Sequence, residues 1–248
     1  MIFKYAEYRK FLVHMKNHGE ILPLGEYASS NAIILRHDVD FDIEAAYRLA
    51  LIEAEYGIRS TFFILTTCRT YNPFSVSNRT KLEEMVKLGF EIGLHFDPTI
   101  YNTSNIDRLT DFVNKEAEML SCVSGRSVCS ISLHNPSIHG QYPLFKGYRN
   151  AYDSLFFSDE FYFSDSRMEF RGKNPYEFVE RVKKHTIQVL LHPLHFTEDG
   201  IEYPDIFCKY LKDHVDAIDD VFKVNSTYTR LMKKKDLFSY FINKWREK

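Results

Sequence analysis

Apolar residues along the chain form two kinds of pattern, and the two kinds alternate. Short continuous apolar runs are typical of strands that are buried on both faces of a sheet. Longer stretches repeat apolar positions every three or four residues, as amphipathic helices do. The short runs predict strands at 32–35, 60–65, 90–94, 127–133, 161–164 and 186–191. The longer stretches predict helices at 3–17, 42–56, 79–88, 104–122, 204–216 and 230–246.

The alternation of strands and helices predicts an α/β fold with a mostly parallel sheet. In such folds the active site lies at the carboxyl ends of the strands. Residues 135–160 have no clear period, and we predict a long loop there that covers the site. The chain has 248 residues and no linker rich in proline, glycine or serine, so we expect a single domain.

Polar residues end five of the predicted strands, at the edge where an active site is expected. Taken singly, a histidine there is more often a structural hydrogen-bonding residue, and an aspartate is more often a helix cap or turn residue. Those separate explanations do not account for the shared position, so we predict that the side chains meet in one site. The set comprises Asp38 and Asp40, His95 and Asp97, His134, Asp165 and Arg167, and His192 and His195.

A mixture of aspartate and histidine without cysteine suits a divalent metal, with Zn²⁺ first and other first-row metals as alternatives. A catalytic metal acidifies a bound water and polarises a carbonyl oxygen. Asp38 and Asp40 are two residues apart, so on an extended segment they point the same way. One can hold the metal while the other accepts a proton, and a histidine from another strand can protonate the leaving group. This set predicts hydrolysis of an amide or ester.

Charge and cysteine content narrow the functional classes. Lys+Arg 32 against Asp+Glu 34 gives a net charge of −2, which offers no basic surface for nucleic acid. The four cysteines form no C-x-x-C pair, and we interpret them as mostly buried thiols in a reducing compartment. We find no signal peptide and no transmembrane span, so we expect a cytoplasmic protein without stable membrane insertion.

Four segments carry a family resemblance. They are Asp38-Val39-Asp40, Ser60-Thr61-Phe62-Phe63, Gly89-Phe90-Glu91-Ile92-Gly93-Leu94-His95 and Val189-Leu190-Leu191-His192. Over roughly 32–196 the chain resembles the polysaccharide deacetylase superfamily, also called the NodB-homology or carbohydrate esterase family 4 group. The segment from Arg36 to Asp40 resembles a divergent branch associated with surface-polysaccharide biosynthesis. The resemblance implies a distorted (β/α) barrel of mostly parallel strands, here with extra helices at 1–31 and 204–248 in a single catalytic domain.

The resemblance also implies roles for individual residues. Asp38 matches the catalytic base and His192 the general acid. His95 matches the first metal-binding histidine, and Asp40 stands nearest to the metal-binding aspartate, displaced by one residue. Asp165 with Arg167 stands where the family has a charged group that orients the base.

The chain departs from the family pattern at two places. Thr99 occupies the position of the second metal-binding histidine, and Leu133-His134-Asn135-Pro136 replaces the family's Arg-Pro-Pro segment. We expect His134 to complete the metal shell, with Asp97 as the alternative ligand.

The expected function is a metal-dependent hydrolase that removes an acetyl group from an N-acetylated or O-acetylated sugar during polysaccharide biosynthesis. We therefore expect the substrate to be a small molecule or an oligosaccharide. The alternatives are a catalytically idle carbohydrate-binding member of the superfamily, and an amidohydrolase that acts on a non-sugar C–N bond.

Three further features of the sequence each have a preferred role and an alternative. Arg167 and Arg171 are candidates for binding an anionic group such as a sugar carboxylate or a diphosphate; a surface ion pair is the alternative, and for Arg171 it is the preferred interpretation. His195 is a second choice for the general acid. The many aromatic residues, Phe 21 and Tyr 16, are interpreted mainly as packing, with carbohydrate stacking as the alternative.

Overall fold

The computed structural model describes residues 3–28, 31–233 and 235–246, and for Arg167 it describes the backbone only. The contacts within the chain divide it into two compact units, Met1–Gly200 and Ile201–Lys248. The first unit contains every strand of the described residues and all of the predicted site residues.

Eight strands of the described chain form one sheet in which every pairing is parallel. The order across the sheet is β6-β5-β4-β3-β2-β8-β7, and β1 pairs with β2 outside that path. The sheet is curled into a half-barrel with helices around it, which confirms the predicted distorted (β/α) barrel. The strands are β1 Ile21–Leu22, β2 Ile33–Val39, β3 Thr61–Ile64, β4 Glu91–Phe96, β5 Ser130–Leu133, β6 Arg149–Asn150, β7 Tyr162–Ser164 and β8 Ile187–Leu191.

The helices of the first unit begin and end at residues that the sequence marks. The Asp42 side chain accepts a hydrogen bond from the backbone N–H of Glu44 at the start of the second helix. Gly125 adopts a left-handed φ of 74° just after the fourth helix, where a glycine is favoured. These helices are α1 Tyr5–His18, α2 Ile43–Glu55, α3 Val76–Lys87, α4 Ile106–Ser124, α5 Pro136–His139 and α6 Pro175–Val179.

Alternating residues of β2 face opposite sides of the sheet. Leu35 packs in the large core between the sheet and the helices. Ile34 packs in a smaller cluster inside the half-barrel, together with Phe63 and Phe156. Since side chains alternate along a strand, Arg36 and Asp38 share the inner side with Ile34, and His37 lies on the helix side.

The helix-side core is continuous, and α1 contributes one complete face to it. Tyr8, Phe11, Leu12 and Met15 of this helix are fully buried. Burying one such large side chain stabilises the fold by roughly 1.5–3 kcal/mol. This core packs against the strands, whose carboxyl ends carry the candidate site. The expectation that the cysteines are mostly buried was wrong, because three of the four are exposed and the other is partly buried.

The predicted loop at 135–160 contains short regular elements. It includes α5 and also β6, which pairs with β5 at the edge of the sheet. The remainder of this segment is irregular, and Tyr142, Tyr152 and Phe157 from it line the cleft described below.

The second unit consists of α7 Tyr203–Phe222, α8 Ser226–Met232 and α9 Leu237–Arg246. The prediction of one helix over 230–246 was wrong, because Lys233 adopts a left-handed φ of 58° that ends α8. Within the described residues, none of the helices combines the length and the apolar character needed to cross a bilayer.

Candidate active site

Three predicted metal ligands meet at the carboxyl ends of β2, β4 and β5. Asp40 Oδ1 lies 3.0 Å from His95 Nε2 and 3.2 Å from His134 Nδ1. The two imidazole nitrogens lie 3.2 Å from each other. Asp40 is partly buried and His95 is buried, so the three atoms lie on the floor of a cleft rather than on an open surface.

The spacing of these three atoms fits ligands of a single metal ion. Two ligands about 2.0–2.1 Å from a tetrahedral metal are separated by about 3.3 Å, close to each of the three separations. Two neutral imidazoles can share only one hydrogen between facing nitrogens, whereas both can donate lone pairs to a cation. The donor set of one carboxylate and two imidazoles is the one that zinc and other first-row divalent metals accept.

The charges around Asp40 favour its ionised form. Burial acts to raise its pKa, but the hydrogen bonds with His134 and His95 outweigh that effect and hold the pKa of Asp40 well below its usual range. For His134, burial lowers the pKa, and the Asp40 carboxylate more than compensates, so the net shift is upward. The carboxylate is therefore ready to bind a cation throughout the neutral range.

Asp97 does not join this group. Its Oδ1 accepts hydrogen bonds from the backbone N–H and the hydroxyl of Thr99, at 2.9 and 2.6 Å, and so caps the turn Pro98–Tyr101. The structure thus brings His134, and not Asp97, to Asp40 and His95. On the far side of the His134 ring, the Asn135 amide lies 2.9 Å from Nε2 and fixes the orientation of the ring.

Asp38 lines the same cleft and is held by one oxygen only. Its Oδ2 lies 3.4 Å from Arg36 Nη2 and 3.2 Å from the hydroxyl of Ser132, which donates to it. Its Oδ1 is buried and has no hydrogen-bond partner among the described residues. His95 Nε2 is 4.0 Å from Oδ2, so the carboxylate lies beside the three-residue group without belonging to it.

Arg36 is the functional residue whose role the sequence did not predict. It is fully buried, donates from Nη2 to the Tyr152 hydroxyl at 3.1 Å, and lies over the Tyr152 ring at 4.8 Å. Its two-residue spacing from Asp38 on one strand was the available signal, because it places both side chains inside the half-barrel. Burial favours the neutral form, but the charge of Asp38 and the neighbouring tyrosines raise the pKa of Arg36, so it stays cationic.

His192 faces the group from the opposite side, at the end of β8. Asp165 accepts a hydrogen bond from its Nδ1 at 2.6 Å and another from its backbone N–H at 3.0 Å. This leaves Nε2 directed at the cleft, 3.8 Å from Asp40 Oδ2. Burial lowers the pKa of His192, but the Asp165 and Asp40 carboxylates outweigh it and raise that pKa to about 9.

Asp165 orients His192 rather than Asp38, so its place differs from the one expected beside the base. It also accepts from His195 Nδ1 at 3.0 Å, which places His195 behind His192 and buries it. Burial acts to raise the pKa of Asp165, and the two histidines more than reverse this, so its pKa is low. Arg167 lies in the turn Ser166–Met168, and its side chain is outside the described part of the chain.

The cleft above these residues has a volume of about 120 Å³ and one aromatic side. Tyr142, Tyr152, Phe157 and Tyr162 line it, with neighbouring ring centroids 4.9–5.6 Å apart. We call these four residues the aromatic wall. A volume of this size is below that of most small-molecule pockets, and it suits a small acyl group.

His37 takes no part in the site. It lies on the helix side of β2, where its Nε2 is 2.7 Å from Glu53 Oε1. The same buried carboxylate accepts from the hydroxyls of Tyr8 at 2.6 Å and Ser60 at 2.5 Å. This network links α1, α2, β2 and the residue before β3, so it is structural.

No protein-family model matches the sequence, and no curated protein matches it either. Several solved structures match. One is BA3943 from Bacillus anthracis, a CE4 family pseudoenzyme, with 14% identity, a TM-score of 0.41, and coverage of 75% of this chain and 63% of that one. Two variants of it are matched over 65% and 64% of their length, so the chain spans less than two thirds of these first structures.

Two further solved structures match over 73% of this chain and 83% of their own length. They are the peptidoglycan deacetylase PdaC from Bacillus subtilis, with 17% identity and a TM-score of 0.42, and a family 4 acetyl xylan esterase from Clostridium thermocellum in complex with a cobalt ion, with 14% identity and a TM-score of 0.43. The names of these proteins are those of the superfamily that the sequence resembles.

Proposed function

We propose that the chain is a metal-dependent hydrolase that removes an acetyl or other small acyl group from a sugar. The observation that carries this proposal is the group of three donor atoms, Asp40 Oδ1, His95 Nε2 and His134 Nδ1, all within 3.2 Å of one another on the floor of a cleft. Asp38 and His192 flank the group on two sides. Zn²⁺ is the first choice for the metal, and other first-row divalent ions are alternatives.

The proposed base is Asp38. When bound, the metal would supply a water of lowered pKa and would polarise the acyl carbonyl. Oδ2 of Asp38 is fixed by Arg36 and Ser132, while Oδ1 is free to accept the proton of the attacking water. Arg36 pairs with this carboxylate and orients it, and a general base must be held in a fixed orientation.

The proposed acid is His192. A sugar nitrogen leaves as an amine only if it receives a proton, so the acid must be protonated at neutral pH. The raised pKa of His192, about 9, meets this need. Its hydrogen bond to Asp165 sets which nitrogen faces the cleft, so Nε2 delivers the proton.

The shape of the cleft supports an acylated sugar as the substrate. The small volume next to the three-donor group suits acetyl, and the aromatic wall offers ring faces against which a sugar ring can pack. The resemblance of the segment from Arg36 to Asp40 to a branch associated with surface-polysaccharide biosynthesis supports a role in that process.

Metal analysis and a substrate panel test the proposal together. Purified protein should hold one divalent metal per chain, and a chelator should abolish acetate release from N-acetylated or O-acetylated sugars. The panel includes simple acetylated amides, because preferential cleavage of these would point to an amidohydrolase. Protein without stoichiometric metal, or His95→Ala with unchanged hydrolysis, would overturn the proposal. Sugar binding without any hydrolysis by the metal-loaded protein would support the idle alternative instead.

A further inference from the structure

One cationic side chain of the cleft has no ion-pair partner among the described residues. Arg171 is the one lysine or arginine among the described residues that line the cleft. Within the described part of the chain no carboxylate lies within ion-pair distance of it, so the surface ion pair expected for Arg171 is not formed. A guanidinium that lines a cleft without a partner is available to a bound anion.

The backbone places Arg171 in an unfavourable conformation. Its φ is 49°, and the next residue, Gly172, has a φ of 72°. A non-glycine residue in this left-handed region costs roughly 1–2 kcal/mol. Arg171 therefore lines the cleft from the segment after β7 despite a local conformational cost.

The remaining lining residues define what lies beside that cation. On the floor are the three donor atoms, and on one side is the aromatic wall. Asp38 and Asp40, the carboxylates that line the cleft, are already engaged, one by Arg36 and Ser132 and the other by two histidines. No lining carboxylate is left to neutralise Arg171, so the unmatched charge must be met by solvent or by the substrate.

We propose that Arg171 determines specificity by selecting sugars that carry an anionic group near the acylated position. This inference rests on the proposed function, because it assigns a substrate class to the same site. The planar guanidinium binds a carboxylate or a phosphate with two parallel hydrogen bonds, so the shared chemistry is an oxyanion. A uronic acid neighbour and a sugar phosphate are the two sources of such a group.

The test compares matched probes and matched variants of the metal-loaded full chain. The probes are N-acetylglucosamine with its 1-phosphate, and glucosyl-N-acetylglucosamine with glucuronosyl-N-acetylglucosamine. Arg171→Gln should lower kcat/KM for an anionic probe by about 10-fold to 100-fold and leave its neutral match within about twofold. Arg171→Lys should recover part of the loss. Arg108→Gln, an exposed position on α4, removes the same charge away from the cleft and should change nothing.

The two pairs of probes distinguish a sugar phosphate from a uronic acid as the source of the anion. Only the pair that contains the natural anionic group should show a loss of kcat/KM in Arg171→Gln that is confined to the anionic probe. Equal loss on neutral and anionic probes, or no loss on either pair, overturns the inference while leaving the hydrolase proposal intact. If the wild-type chain hydrolyses none of the probes, the proposed function fails on these substrates. Calorimetric binding of the same four probes then decides the inference. A preference for the anionic member that Arg171→Gln removes supports it, and the absence of such a preference overturns it.

Discussion

Asp40, His95 and His134 come from three strands, yet their donor atoms lie within 3.2 Å of one another. No single residue of the three would indicate a metal, because each has an ordinary hydrogen-bonding explanation. Their convergence is specific, since two imidazole nitrogens directed at one carboxylate oxygen and at each other make a poor hydrogen-bonding arrangement but a good ligand set.

The first prediction separates the two ligands that the sequence left open. His134→Ala should lower metal occupancy strongly, with affinity falling by at least about 100-fold, because it removes one of three protein ligands. Asp97→Ala should retain the metal, since Asp97 caps a turn through Thr99 and lies outside the group. Metal content after dialysis against a buffered metal solution measures both. Loss of metal in Asp97→Ala with retention in His134→Ala would reverse the assignment.

The second prediction concerns the buried pair of Arg36 and Asp38. Arg36→Met leaves the buried carboxylate of Asp38 uncompensated next to partly buried tyrosines, so we expect the free energy of unfolding to fall by about 3–5 kcal/mol. Adding Asp38→Asn should recover much of that loss, because the second change removes the charge that was left unpaired. Denaturant unfolding of the two single variants and the double variant measures the coupling. If the two effects simply add, the pair is not coupled and Arg36 does not hold the carboxylate.

At the scale of elements, the sequence predicted the longer strands better than the two-residue strands. Continuous apolar runs mark strands that are buried on both faces, so β3, β4 and β8 were found close to their actual bounds. Two-residue strands such as β1 and β6 carry no periodic signal, because two residues cannot show a period. The break between α8 and α9 depends on the left-handed Lys233, which no propensity favours at a lysine.

The same limit explains which parts of the site were predictable. Strand ends are fixed by the sheet, so the sequence could place Asp40, His95 and His192 at one edge. The choice between His134 and Asp97 depends on the turn after each strand. Asp97 accepts hydrogen bonds from Thr99, and the sequence pattern does not predict this contact. The pairing of Asp165 with His192 depends on β7 and β8 being neighbours in the sheet. The order of the strands along the chain does not determine which strands are neighbours.

The third prediction tests how β8 holds the irregular segment that carries part of the aromatic wall. Gln188 is fully buried, and its Nε2 donates to the carbonyls of Ala151 at 3.0 Å and Phe156 at 3.4 Å. Gln188→Leu should leave these carbonyls unsatisfied and loosen Tyr152 and Phe157, at a stability loss of about 1–3 kcal/mol. We expect KM for the sugar to rise while metal content stays the same. Unchanged KM would show that the wall is held independently of β8.

The fourth prediction concerns Glu116 of α4, which accepts hydrogen bonds from Thr66 and Tyr101. Burial raises the pKa of Glu116, and the two hydrogen bonds only partly offset this. Between the ordinary pKa of a glutamate and the raised pKa of Glu116, the folded state therefore binds more protons than the unfolded state. This group makes the free energy of unfolding fall as pH rises between those two values.

Glu116→Gln removes the titrating group, so its melting temperature relative to wild type should rise between pH 4 and pH 7. Thermal melts of both proteins at the two pH values measure the change. Glu118→Gln, a nearby change on the same helix at an exposed position, is the control and should show no such trend. A relative melting temperature of Glu116→Gln that falls over this range would contradict the raised pKa of Glu116.

At the scale of the molecule, the half-barrel gathers its chemistry from strands that are distant in sequence but adjacent in the sheet. The three proposed ligands follow β2, β4 and β5, and the proposed acid follows β8. The unfolded chain cannot hold these groups together, so a metal that binds the group binds the folded state of unit Met1–Gly200 almost exclusively.

The last prediction follows from that linkage. A ligand that binds only the folded state stabilises it by about 2.7 kcal/mol when its free concentration is 100 times Kd. Adding Zn²⁺ to metal-free protein should therefore raise its melting temperature by several degrees, and a chelator should reverse the shift. His134→Ala should melt at nearly the same temperature with and without Zn²⁺, whereas Asp97→Ala should respond like wild type. If all three proteins respond equally, the stabilising ion binds elsewhere, and the three-donor group at the ends of β2, β4 and β5 is not the metal centre.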